Sequence, residues 1–173
     1  MDEAMNSKQN NIAPNDYPLW GSKFKALSVA LNRTTMTVYE MTALALGLDR
    51  KAFTKISSGN ERYLIPGGSN IGRERVGTVF TAYHYDFNLT SIQGRTRYPG
   101  LYAWTRDGSR VAVNPPEGCL MIRTGRQFEW LTGGRVWNGF HEVVCTDEAK
   151  ELARDMRGPK SWRVAMSYFA LLD

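Results

Sequence analysis

The chain of 173 residues holds only two histidines, and one of them, His84, stands one residue away from Asp86 in "TAYHYDFNLTSIQGR". The stretch is rich in β-branched and aromatic residues and reads as a strand, in which positions i and i+2 point to the same face. An imidazole and a carboxylate are therefore expected to converge. His141 opens a second strand-like run, "HEVVC". Two imidazoles and one carboxylate on neighbouring strands supply three ligands to one face of a metal, the set that holds non-haem Fe(II) and leaves positions open for a co-substrate and O2. An isolated H-x-D arises by chance in many chains, so spacing alone leaves an ordinary structural histidine as the alternative. Glu142 is expected on the opposite face from His141, and Tyr83, Tyr85 and Phe87 on the far side of the sheet from the ligands. Trp104, Trp130, Trp137 and Trp162 read as core or helix-packing residues.

Elements must position these groups. Trp20, Phe24, Leu27, Leu31, Thr34, Val38, Met41, Ala45 and Leu48 recur at alternating steps of four and three, the stripe of an amphipathic helix over about 18–47. Pro18 suits its first turn and Gly47 its end, with "NRTT" as a place where it could break in two. Asp49 suits the cap of a short helix running to about Ile56. Eight short runs follow: "RYLIP", "TVFTAYHYD", "LTSIQG", "GLYAWT", "RVAVN", "GCLMIRTG", "HEVVCT" and "WRVAMSYFALL". The turn signals "PGGSN", "YPG", "RDGS", "NPPEG" and "TGG" separate them. Strands with few helices between them predict a mainly β sandwich or jelly roll with an N-terminal helical layer. "TDEAKELARDM" (146–156) reads as a late surface helix capped by Thr146 or Asp147.

Composition narrows the classes. With 42% hydrophobic and 23% charged residues the chain reads as an ordinary globular protein. It contains no apolar run long enough to span a bilayer, so no membrane association is expected. The net charge of +5 is scattered, which argues for a solvated basic surface and against nucleic acid as a partner. Cys119 and Cys145 read as buried free thiols in a cytoplasmic protein. Residues 1–16 are polar and read as a disordered lead-in, 17–57 as the helical layer packing on the roll, and 58–173 as the β domain.

From about Glu61 to Phe169 the ordered pieces "HYDFNLTSIQG", "GLYAWTRDGSRVAV", "NPPEGCLMIRTG", "EWLTGGRVWNGFHEVV" and "WRVAMSYF" resemble the C-terminal catalytic domain of the iron(II)- and 2-oxoglutarate-dependent dioxygenases of the isopenicillin N synthase-like group. The resemblance implies a double-stranded β-helix. It implies His84, Asp86 and His141 as iron ligands and Arg163 as the arginine that receives the distal carboxylate of 2-oxoglutarate. It also implies Fe(II), 2-oxoglutarate as co-substrate, ascorbate as an accessory reductant, and a small organic substrate that is hydroxylated or desaturated with release of succinate and CO2. Three places depart from the group's pattern. Ala165 stands where it has a serine, with Ser167 next on the same face; Tyr63 and Ile65 stand where it has asparagine and tyrosine; and 146–156 lengthens the interval from His141 to Arg163. The group also has more chain on both sides, so a fragment or short form is expected. The competing reading is a catalytically inactive or truncated β-helix domain kept for ligand or protein binding.

Overall fold

The computed structural model describes residues 14–59 and 62–172, so residues 1–13 of the expected lead-in lie outside the described residues. Helix α1 (Trp20–Ala45) runs unbroken through "NRTT", and α2 (Ala52–Ile56) follows. Gly47 ends α1 because its φ of +74° lets the chain turn back. Its N–H then bonds the Leu44 carbonyl at 3.0 Å, and the Leu48 N–H bonds that of Ala43 at 2.9 Å. The Asp49 carboxylate accepts the Lys51 N–H at 3.0 Å at the start of α2.

All eight expected strands form. They are β1 (Arg62–Asn70), β2 (Val79–His84), β3 (Thr90–Gly94), β4 (Leu101–Trp104), β5 (Arg110–Ala112), β6 (Leu120–Thr124), β7 (His141–Val144) and β8 (Trp162–Ala170). They make two antiparallel four-stranded sheets, one in the order β1-β8-β3-β6 and the other β2-β7-β4-β5. This is the jelly-roll arrangement, without closure into a barrel. The "PGGSN" turn does not exist: Pro66, Gly67 and Gly68 lie within β1, paired with Met166, Ala165 and Val164. A proline is tolerated there because β1 is an edge strand, with one side free of ladder bonds. The Trp162 ring lies over Gly68, where an added Cβ would meet it at 3.2 Å.

Helix α3 (Arg126–Leu131), unforeseen in the sequence, follows β6, and α4 (Asp147–Ala153) fills the expected late helix. The Thr146 hydroxyl caps α4 by accepting the Ala149 N–H at 3.1 Å. None of the described helices is long and apolar enough to cross a membrane.

The face that α1 buries differs from the predicted stripe. Ser28, Leu31, Thr35, Tyr39 and Ala43 are buried, whereas Met41 is 65% exposed and Trp20, Leu27 and Leu48 are exposed too. Only Leu31 belongs to both sets. The helix lies where Tyr39 reaches the Thr90 hydroxyl at 2.9 Å and packs with Ala43, Phe53, Leu89 and Phe128. Burial pushes the Tyr39 phenol up to about 12. Each of the large side chains in this cluster contributes about 1.5–3 kcal/mol. Leu31 joins Ile92, Tyr168 and Ala170 in a second cluster on the outer face of the first sheet. The tryptophans also depart from expectation: Trp130, Trp137 and Trp162 are exposed. Trp104 packs its edge against the exposed Tyr83, at 4.6 Å between ring centroids. Cys145 is a buried free thiol, but Cys119 is exposed, since it falls in the turn before β6.

Gly125 precedes α3 with extended φ and ψ that any residue adopts, so space and not conformation requires glycine. An added Cβ would overlap the Asn88 carbonyl oxygen and stand 2.7 Å from the carbonyl carbon. Gly125→Ala is therefore expected to lower stability by about 3 kcal/mol, at the upper end of ordinary overpacking, because backbone must move. Urea denaturation reads this as a lower midpoint with unchanged slope.

Candidate metal and oxo-acid site

Period two along the first sheet sorts its side chains. Tyr168 and Ile92 face α1, while Arg163, Ser167, Ser91, Gln93 and Arg123 alternate to the inner face between the sheets. On the second sheet, His84 and His141 are directly opposed across β2 and β7. Their ring centroids stand 4.2 Å apart. Asp86 is not on a strand as expected: β2 stops at His84 and the chain bends. Its position is fixed by other means. The Asp86 carbonyl accepts the Arg126 N–H at 2.9 Å, and Leu89, three residues on, is locked into the core.

The three side chains nonetheless meet. The His84 and His141 Nε2 atoms lie 3.5 and 3.7 Å from Asp86 Oδ1, and one donor atom from each residue falls within 4.8 Å of the others. Both imidazoles have Nδ1 on a backbone carbonyl, His84 on Ala82 at 2.7 Å and His141 on Gly139 at 3.0 Å. Donation of Nδ1–H to those carbonyls places the lone pair on Nε2, the atom turned toward Asp86. Burial, followed by Arg123, lowers the His141 imidazole to about 4, so it is neutral and able to donate a lone pair at physiological pH. Burial alone would raise the Asp86 carboxyl, but Arg123, the Ser91 hydroxyl and His141 together outweigh it and hold it below the usual range. The neutral His141 imidazole and the ionised Asp86 carboxylate are in the protonation states that ligation of a divalent cation requires.

Arg163 lies on β8, 5% exposed. Among the described residues its Nε and Nη2 find no hydrogen-bond partner. Burial lowers it to about 10, so it remains a cation at neutral pH. A buried guanidinium with free donors is costly and fits an anion with two acceptor oxygens. Ser167, on the same face, donates to Gln93 Oε1 at 3.4 Å. Tyr63 and Ile65 pair with Phe169 and Ser167 on the edge strand and are exposed. Glu142 accepts from Arg110 on the outer face, away from the triad.

Ser91, Gln93 and Arg123 went unread in the sequence. The signal was present, since Ser91, Ile92 and Gln93 alternate polar and apolar and the only charged residue of "CLMIRTG" falls on the inner face.

The sequence pattern of the 2OG-Fe(II) oxygenase superfamily matches residues 58–171. The chain belongs to this superfamily. Fe(II) and 2-oxoglutarate are the cofactors that membership brings, and the donor set and the unpartnered arginine suit them. The chain is 24% identical over 151 residues to naringenin,2-oxoglutarate 3-dioxygenase from Callistephus chinensis, covering 82% of this chain and 42% of that protein. It is also similar to a 2OG-Fe(II) oxygenase family protein from Caulobacter crescentus, with a TM-score of 0.80 and 23% identity over 94% of this chain and 50% of the other. A full-length protein from Neurospora crassa, solved in complex with alpha-KG, gives a TM-score of 0.77 at 15% identity, covering 98% of this chain and 53% of the other. At these identities the structural likeness establishes the fold. The superfamily member spans about two fifths of the length of the curated relatives it matches and about half of the solved ones.

Proposed function

We propose that the chain is the catalytic domain of a non-haem Fe(II)- and 2-oxoglutarate-dependent dioxygenase of the isopenicillin N synthase-like group, acting on a small organic substrate. His84, Asp86 and His141 hold the iron, and Arg163 receives the distal carboxylate of 2-oxoglutarate. The observation that carries this reading is the pairing of two halves of one site. Three donors are preset around one point, and a buried guanidinium on the inner face of the other sheet has two donors free.

With both bound, iron and the oxo acid would supply the activation of O2, one oxygen atom going into the succinate formed with CO2 and the other oxidising a substrate C–H bond. The chain's own residues prepare that chemistry. The Ala82 and Gly139 carbonyls orient the imidazoles. Arg163 orients the oxo acid through two parallel N–H bonds, which a lysine would not reproduce. The inner placement of His141 and Arg163 keeps water from the reacting atoms, while the more open His84 marks the side from which a substrate enters. The relatives named for naringenin and flavanone make naringenin and other flavanones the first compounds to try.

The test is spectroscopic. Under anaerobic conditions, Fe(II) with 2-oxoglutarate is expected to give a weak visible charge-transfer band with the wild-type chain. Admission of O2 is expected to release succinate. Absence of both, in a protein that circular dichroism shows folded, would replace this reading with a β-helix domain kept for binding.

A further inference from the structure

We infer that Arg123 is a positioning residue of the metal site, clamping Asp86 by one carboxylate oxygen so that only the other can reach a metal. The inference rests on the reading of His84, Asp86 and His141 as ligands.

The two Asp86 oxygens have different surroundings. Oδ1 is the atom that faces both imidazoles. Oδ2 accepts the Ser91 hydroxyl and, at 3.2 Å, Arg123 Nη2. Arg123 is itself held: it is 9% exposed, and its Nη1 reaches Gln93 Oε1 at 3.4 Å, the same oxygen that takes the Ser167 hydroxyl. A chain of polar contacts therefore crosses β8, β3 and β6 and ends on the carboxylate. Among the described residues, Asp86 is the one carboxylate in ion-pair contact with this guanidinium.

Coordination number shows what the clamp protects. An octahedral centre has six positions, of which the triad takes three when the carboxylate binds through one oxygen. A chelating oxo acid takes two more, and one is left for O2. If Asp86 swung to bind through both oxygens, that last position would be lost. Fixing Oδ2 on two donors prevents the swing.

Charge distinguishes this role from a merely electrostatic one. A guanidinium behind Asp86 repels a divalent cation, so if its charge alone mattered, removing it would tighten metal binding. A positioning role predicts the reverse, a loss of about tenfold or more, as for other residues that orient metal ligands.

The experiment uses Co(II) as the probe with the whole chain, reading affinity by titration and coordination by the visible d–d spectrum. Arg123→Gln is expected to bind Co(II) about tenfold more weakly, with a shifted and altered spectrum. Arg123→Lys, which keeps one charged donor, should recover part of the wild-type spectrum. Gln93→Leu, which frees the far end of the guanidinium, should move the spectrum in the same direction and keeps the test available if Arg123→Gln does not fold. A folded Arg123→Gln with wild-type spectrum and equal or tighter affinity overturns the inference. A folded wild type that takes up no Co(II) overturns the ligand reading beneath it, and this inference with it.

Discussion

His84→Ala and Asp86→Ala are both expected to abolish Fe(II) binding, with turnover down a thousand-fold or more, yet to differ sharply in stability. Each removes one of three donors around a single point, and a thousand-fold corresponds to about 4 kcal/mol of barrier. The difference lies in what each side chain leaves behind. The His84 side chain is 39% exposed, and its strand partner His141 keeps its own carbonyl contact, so its loss strands no buried charge. Asp86 is the carboxylate that pairs with the buried Arg123 and takes the Ser91 hydroxyl. Removing it leaves a guanidinium buried without its counter-ion, which costs about 3–5 kcal/mol. Metal titration should therefore show the same loss in both variants. Urea denaturation should show a near wild-type midpoint for His84→Ala and a large drop for Asp86→Ala. Retention of stoichiometric Fe(II) by either variant would remove that residue from the ligand set.

Arg163→Leu is the second large effect, and its sign separates function from stability. The guanidinium is buried and, among the described residues, its Nε and Nη2 are unpartnered, so the folded state bears much of its desolvation. A leucine of roughly similar reach removes that cost, and replacing a buried charge by an apolar residue is often neutral or stabilising by about 1–4 kcal/mol. On the proposed assignment the same change deprives the oxo acid of a charge-assisted pair, a loss of about 2–5 kcal/mol, or from about thirtyfold to several thousandfold in affinity. The variant is thus expected to bind Fe(II) as before, to hold its urea midpoint or exceed it, and to need far more 2-oxoglutarate to develop the charge-transfer band. Arg163→Lys should fall between, since a point charge cannot give two parallel bonds. An unchanged 2-oxoglutarate requirement in Arg163→Leu would place the co-substrate's carboxylate elsewhere.

The sequence by itself determined the strands and the helices α1, α2 and α4. Short runs of β-branched and aromatic residues between turn signals marked eight strands, because both preferences act within a few residues of backbone. Gly47 marked the end of α1 because its left-handed φ is a local demand. His84 and His141 were readable as strand residues for the same reason. The tertiary structure decided which faces turn inward and what meets there. The stripe on α1 was a genuine apolar periodicity, yet Tyr39 and Ala43 are what Leu89 and Phe128 cover, since the partner surface and not the helix chooses the buried side. Pro66 signalled a turn by its missing N–H, and only the edge position of β1 made that omission harmless. Asp86 reaches the two imidazoles from the link after β2 and not from the expected strand, held by α3 and by Leu89. Ser91, Gln93 and Arg123 became neighbours of that carboxylate only when β3 and β6 paired, because contacts across a sheet depend on register, which no local pattern in one strand contains.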